Sequence, residues 1–174
     1  MIYILILSLL LTACNITPKA PAVHDFGLAV PVANQRLHEP ALNVDAPKWL
    51  WDKSIRYRLL YKAQTQVNSY ALDRWLAAPP ELFEQYLSTS LATLDYQLNI
   101  KLLEFEQQFT TPTQAKVVLR FYVEAVKNAN QKHSTQEFAL TQPTNTADAG
   151  GAVNGFSNLA RQASQQINQW LLHQ

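Results

Sequence analysis

Between residues 98 and 141 the chain carries three alternating segments separated by two short turns, and this pattern constrains the fold more than any other feature. Segment 115–126 is the clearest. Val117, Leu119, Phe121 and Val123 occupy one phase, while Val118, Arg120, Tyr122 and Glu124 occupy the other, so a strand here has one core face and one mixed face. Segments 98–109 and 134–141 flank it. The intervening stretches, Thr110-Thr111-Pro112-Thr113 and residues 127–132, are polar and short enough to join antiparallel neighbours. Within the first segment the apolar phase slips from Leu98, Ile100 and Leu102 to Leu103 and Phe105, which predicts a β-bulge at Leu102 or Leu103.

Helical periodicity brackets this meander. Pro79-Pro80-Glu81 suits a first helical turn, where proline loses no hydrogen bond and a carboxylate meets the helix dipole. Behind it Leu82, Phe83, Tyr86, Leu87, Leu91 and Leu94 recur at spacings of three and four. A polar stretch from Gln142 to Asp148 leads through Gly150-Gly151 into a long final helix. Its apolar face is Val153, Phe156, Leu159, Ala160, Ala163, Ile167, Trp170 and Leu171. Upstream, Phe26, Leu28 and Val30 predict a first strand, Leu42-Asn43-Val44 a second, and Ile55, Tyr57, Leu59 and Tyr61 a third, with 31–41 as loop. Strands, one helix, a three-stranded meander and a closing helix imply an α+β fold. In it a mainly antiparallel sheet carries two amphipathic helices packed on one face.

The amino end has a different character. An apolar run from Ile2 to Ala13 closes in Leu11-Thr12-Ala13-Cys14, and Cys14 is the only cysteine. The run is shorter than the roughly 20 residues of a transmembrane helix and has the length of a signal h-region. It reads as a lipoprotein signal: 1–13 removed, Cys14 acylated, 14–24 a tether containing Pro18 and Pro21, and 25–174 a single domain. With that thiol consumed, no disulfide is available and packing must supply stability. The 14 basic and 13 acidic residues form no run of either sign, so neither a nucleic-acid partner nor an electrostatic footprint for an anionic membrane surface is expected, and membrane attachment is expected to rest on lipid alone.

Catalytic constellations are sparse. The four histidines, His24, His38, His133 and His173, are scattered, and none has a second His or a carboxylate at metal-ligand spacing. Glu104 and Glu106 share one strand face, where a carboxylate pair is more often solvated than catalytic. Gly150-Gly151-Ala152-Val153-Asn154-Gly155 lacks the Lys-Ser/Thr of a phosphate loop and reads as the start of a helix. A non-enzymatic chain without metal or cofactor is expected. Trp49, Trp51, Tyr57, Tyr61, Tyr70 and Trp75 are interleaved with Arg56, Arg58 and Arg74, and aromatic and arginine residues are enriched at interfaces. Tyr57, Arg58, Tyr70, Arg74 and Trp75 are the candidate partner-binding residues; for Trp51, Tyr57 and Trp75 core packing is an equal reading.

Several segments carry a family resemblance. They are Asp25-Phe26-Gly27-Leu28; Ile55-Arg56-Tyr57-Arg58; Tyr70 with Arg74-Trp75 and Pro79-Pro80; Leu102-Leu103-Glu104-Phe105-Glu106-Gln107 with Phe109; the alternating strand from Lys116; and the final Ile167-Asn168-Gln169-Trp170-Leu171. In order and spacing the chain resembles the ABC-type transport auxiliary lipoproteins, PqiC-like components of MCE lipid transport systems. The resemblance implies a non-enzymatic, outer-membrane, periplasm-facing, lipid-anchored partner of an MCE-domain protein and an inner-membrane ABC transporter, and the leading expectation is that it docks the periplasmic MCE assembly to the outer membrane. By the sorting rule of such lipoproteins, Asn15 after the cysteine also implies the outer membrane. An exposed aromatic patch would serve homo-oligomer formation equally well. The alternative is a periplasmic lipid carrier with an acyl-chain cavity between sheet and helices, which bulky predicted core residues disfavour.

Overall fold

The computed structural model describes residues 19–31, 41–92 and 95–174. The segment expected to be a signal, 1–13, lies outside the described residues, as do Cys14, His38 and Leu94. The elements are β1 (Ala22–His24), β2 (Leu42–Asp45), β3 (Ser54–Leu59), β4 (Val67–Trp75), α1 (Pro79–Ser90), β5 (Tyr96–Thr111), β6 (Gln114–Lys127), β7 (His133–Pro143) and α2 (Ala149–Leu171), with a 3-10 turn at Lys48–Leu50. The fold is α+β, a seven-stranded sheet in the order β1-β4-β3-β5-β6-β7 with β2 also on β5. Its long pairings, β5 with β6 and β6 with β7, are antiparallel, as is β3 with β4; the short pairings of β1 with β4, and of β2 and β3 with β5, are parallel.

The predicted meander is the spine of the molecule. Val117, Leu119, Phe121 and Val123 turn inward, and α2 lays Phe156, Leu159, Ala160, Ala163 and Ile167 among the buried residues on that side. Gly155 lets the helix approach closely, since a Cβ there would stand 2.6 Å from a Val117 methyl carbon. The register of β5 on β6 shifts between Leu102 and Glu104, so Leu103 is the bulged residue. The bulge has a structural reason: β2 flanks β5 at residues 98–101 and β3 flanks it at 107–109, so the strand bends where it passes from one neighbour to the other.

Two expectations for the amino end change. Phe26, Leu28 and Val30 form no strand. The Asp25 carboxylate accepts the Gly27 N–H at 2.8 Å and Gly27 takes φ 76°, so the chain turns; Phe26 enters the core, while Leu28 is 99% exposed. The first strand is instead Ala22–His24, inside the stretch expected to be tether, and the sheet therefore starts before Asp25. β4, Val67–Trp75, is a strand that the sequence alternation does not predict.

Helix starts follow the sequence signals. Glu81 accepts the Ala78 N–H at 2.9 Å with Pro79 and Pro80 in the first turn of α1. At α2 the Asp148 carboxylate accepts the Gly151 N–H at 2.8 Å and the Thr146 hydroxyl at 2.7 Å. These bonds, the Gly151 N–H first, hold the Asp148 carboxyl below its ordinary value of 3.8. A group lowered on folding stabilises the fold fully above its unfolded value and loses that contribution as pH falls through the folded value. Asp148→Ala is therefore expected to lower stability by about 1 kcal/mol at neutral pH. The gap from wild type in urea unfolding should shrink as the pH falls below the ordinary carboxyl value of 3.8.

Candidate functional site

The aromatic and arginine residues singled out in the sequence do not form one surface. Alternation along the strands and a break in β4 divide them among four places. β3 and β4 pair as Arg56 with Ser69 but as Ser54 with Arg74, so residues 70–73 face Ile55 alone. This break puts Tyr70 and Trp75 on the same inner face although they are an odd number of residues apart.

Trp75 is in the core. It is 0% exposed, with ring centroids 5.4 Å from Phe26 and 5.9 Å from both Phe105 and Phe156. A residue enclosed on all sides cannot supply a contact surface to a partner, so the partner-binding expectation for Trp75 gives way to its core reading. Arg74, its neighbour, is exposed at the β1–β4 edge.

Tyr57 and Tyr70 form a half-buried inner pair, ring centroids 4.7 Å apart, with Phe109 5.7 Å from Tyr57. The Tyr70 hydroxyl donates to Gln107 Oε1 at 2.6 Å, and Gln107 Nε2 donates to the Asp148 carbonyl at 3.2 Å. Gln107 is thereby satisfied while fully buried. Burial, then the neighbouring Tyr57, push the Tyr70 phenol far above its ordinary range, so it stays a neutral donor. The cluster ties β4, β5 and the start of α2 together.

Arg58 lies on the opposite face. It grips Glu106 with two bonds, Nε to Oε1 at 2.9 Å and Nη2 to Oε2 at 3.0 Å, and its Nη1 donates to the Gln64 carbonyl at 2.9 Å. Glu106 is only 3% exposed, which corrects the expectation that the Glu104 and Glu106 pair faces solvent. Gln108 Nε2 bridges both carboxylates at 2.8 and 3.0 Å, and Arg120 continues the chain to Glu104 at 3.6 Å and Glu137 at 3.1 Å. Carboxylates so fully engaged by cations and amides read as structural links across β3, β5, β6 and β7.

The fourth place is the turn before β3. Trp49 and Trp51 are 47% and 45% exposed, on either side of fully buried Leu50. Trp51 Nε1 donates to the Ala46 carbonyl at 3.0 Å, and the Arg56 guanidinium stands 5.7 Å from the Trp49 ring centroid. Asp52 accepts Arg56 Nη2 at 2.5 Å and the Ser54 N–H at 2.8 Å. Partial burial pushes the Asp52 carboxyl up, but the Ser54 and Arg56 hydrogen bonds outweigh it and hold the group below its ordinary range. The sequence places these tryptophans in the aromatic cluster without marking them as its exposed members.

Two open clefts flank segment 25–29. One, about 380 Å³, lies toward α2 and includes His24, Leu76, Val153 and Ser157; the other, about 210 Å³, lies toward α1 and includes Leu82 and Tyr86. Both sit beside the segment on the helix side, and the Phe26 carbonyl, which accepts the Ser157 hydroxyl at 2.7 Å, holds the segment over α2. His24 bonds Asp73 at 2.8 Å and His133 bonds Glu124 at 3.2 Å. Among the described residues no three His, Cys, Asp or Glu side chains gather to hold a metal, and no helix is long and apolar enough to cross a membrane.

No family model and no curated protein matches the chain. Solved structures do share its fold. A Xanthomonas campestris protein described under the family model DUF330 aligns with TM-score 0.65 at 15% identity, covering 88% of this chain and 94% of its own. A second structure, titled as an uncharacterized protein, aligns with TM-score 0.65 at 11% identity over 88% of this chain and 99% of its own.

Proposed function

We propose that the chain is a lipid-anchored, non-enzymatic auxiliary subunit that docks a periplasmic MCE lipid-transport assembly to the outer membrane. The observation that carries this reading is the sole cysteine closing Leu11-Thr12-Ala13-Cys14, followed by a short proline-containing stretch that leads to the sheet edge at Ala22. The family resemblance of the segments from Asp25 to Leu171 supplies the transport context. Docking is favoured over lipid carriage because large side chains occupy the space between sheet and helices. Trp75, Phe83, Phe121 and Phe156 are each fully buried there, and Phe105 stacks on Phe156 at 3.8 Å.

Two measurements test the reading. Fractionated membranes should hold the wild-type chain in the outer membrane and lose it from that fraction in Cys14→Ala. Native mass spectrometry of the detergent-purified protein should show covalent acyl mass but no retained phospholipid. A stoichiometric non-covalent phospholipid would contradict docking and support the carrier reading.

A further inference from the structure

We propose that the turn at residues 48–53 is a second, non-covalent membrane contact, in which Trp49 and Trp51 enter the headgroup region of the bilayer to which Cys14 is anchored. The inference rests on the reading of Cys14 as acylated. The 3-10 turn advances by roughly 120° per residue, so burying Leu50 directs the residues on either side outward. Both outward residues are indoles, the side chain best matched to a boundary that is apolar on one side and wet on the other. They are held rather than loose: Ala46 fixes the Trp51 ring through Nε1, and Asp52 holds Arg56 against Trp49. Lys48 and Lys53 are exposed at the two ends of the turn and form no ion pair among the described residues, whereas Asp52, the acid between them, is taken up by Arg56. A pair of indoles between two unpaired ammonium groups fits the interface of a bilayer containing anionic phospholipid.

Position adds a second argument. Ala22 pairs with Asp73 on β4, and Arg74 on β4 pairs with Ser54, the residue following the turn. Ala22 therefore lies about 10 Å from the end of the turn, two strand spacings away. Seven residues lie between Cys14 and Ala22, so the contour is at most about 29 Å whatever its shape. An anchor of that length holds the turn at high effective concentration near the membrane, so two half-exposed indoles suffice where they would not bind unaided.

The test uses the acylated full-length protein in vesicles of phosphatidylethanolamine and phosphatidylglycerol, with and without brominated acyl chains. Intact mass verifies acylation independently. Tryptophan emission should be quenched by the brominated lipid, and the quenching should vanish in Trp49→Phe/Trp51→Phe while emission from Trp75 and Trp170 remains. Lys48→Glu/Lys53→Glu keeps all four indoles and should reduce quenching by more than about twofold. Acylated protein whose indoles are not quenched, or quenching that persists in the double Phe variant, overturns the proposal. So do indoles that are shielded only when a partner protein is added. Absence of acyl mass at Cys14 overturns the anchor reading itself and removes this proposal with it.

Discussion

Trp75→Ala is expected to destabilise the protein by about 3–5 kcal/mol, a large fraction of the roughly 5–15 kcal/mol that holds a typical domain folded. The indole sits fully buried at the junction of β4, β5, segment 25–29 and α2, against Phe26, Phe105 and Phe156. Removing it leaves a cavity that three rings from different elements cannot close together. Its Nε1 has no hydrogen-bond acceptor among the described residues. Trp75→Phe therefore removes an unpaired donor while keeping the ring contacts, and it is expected to cost clearly less than Trp75→Ala in urea unfolding. Equal losses for the two variants would mean that the indole contributes through something other than filled volume. The consequence for functional work is direct: a partner lost on Trp75→Ala reports a lost fold, not a lost contact.

Breaking the buried ion pair is the second large effect. Arg58→Leu leaves the Glu106 carboxylate 3% exposed in the native geometry without its guanidinium, and the expected loss is about 3–5 kcal/mol. The hydrogen bonds that Arg58 donates to Glu106 raise the Arg58 value above its ordinary level, the direction a matched pair gives. Arg58→Leu/Glu106→Leu should recover most of the loss, because the penalty comes from the unpaired charge rather than from any large net value of the pair. Chemical unfolding of both single variants and the double variant measures this. Additive losses, with no recovery in the double variant, would contradict the assignment of Glu106 as a buried charge that depends on Arg58.

The parts of the fold that were legible in the sequence are those where one face is buried without interruption. β6 alternates cleanly because the two helices cover its inner face, Phe83 of α1 meeting Phe121 and Gly155 of α2 closing on Val117, and the phase slip at Leu102 and Leu103 marked a bulge that is present. β4 was illegible for the opposite reason. Most of its residues are exposed, and the register break opposite Ile55 puts its two inner aromatics, Tyr70 and Trp75, out of any regular period. β1 is three residues long and has no inward alternation to read.

The same physics explains the dispersal of the candidate site. Tyr57 and Arg58 are adjacent in sequence and so point to opposite faces of β3, one toward Tyr70 and the other toward Glu106. Burial of Glu106 depends on an arginine 48 residues away, a distance no local pattern encodes. Trp49 and Trp51 differ from Trp75 only in that the residue between them, Leu50, takes the inward position.

Crosslinking of the membrane-bound protein in cells tests the docking role most directly, with photoreactive residues placed at exposed Arg74 and Tyr61 so that the core is untouched. Recovery of an MCE-domain protein with the acylated chain is expected, with a marked loss of that product in Cys14→Ala at equal protein level. Failure to recover any transport component from either position, while the acylated protein resides in the outer membrane, would contradict the docking role.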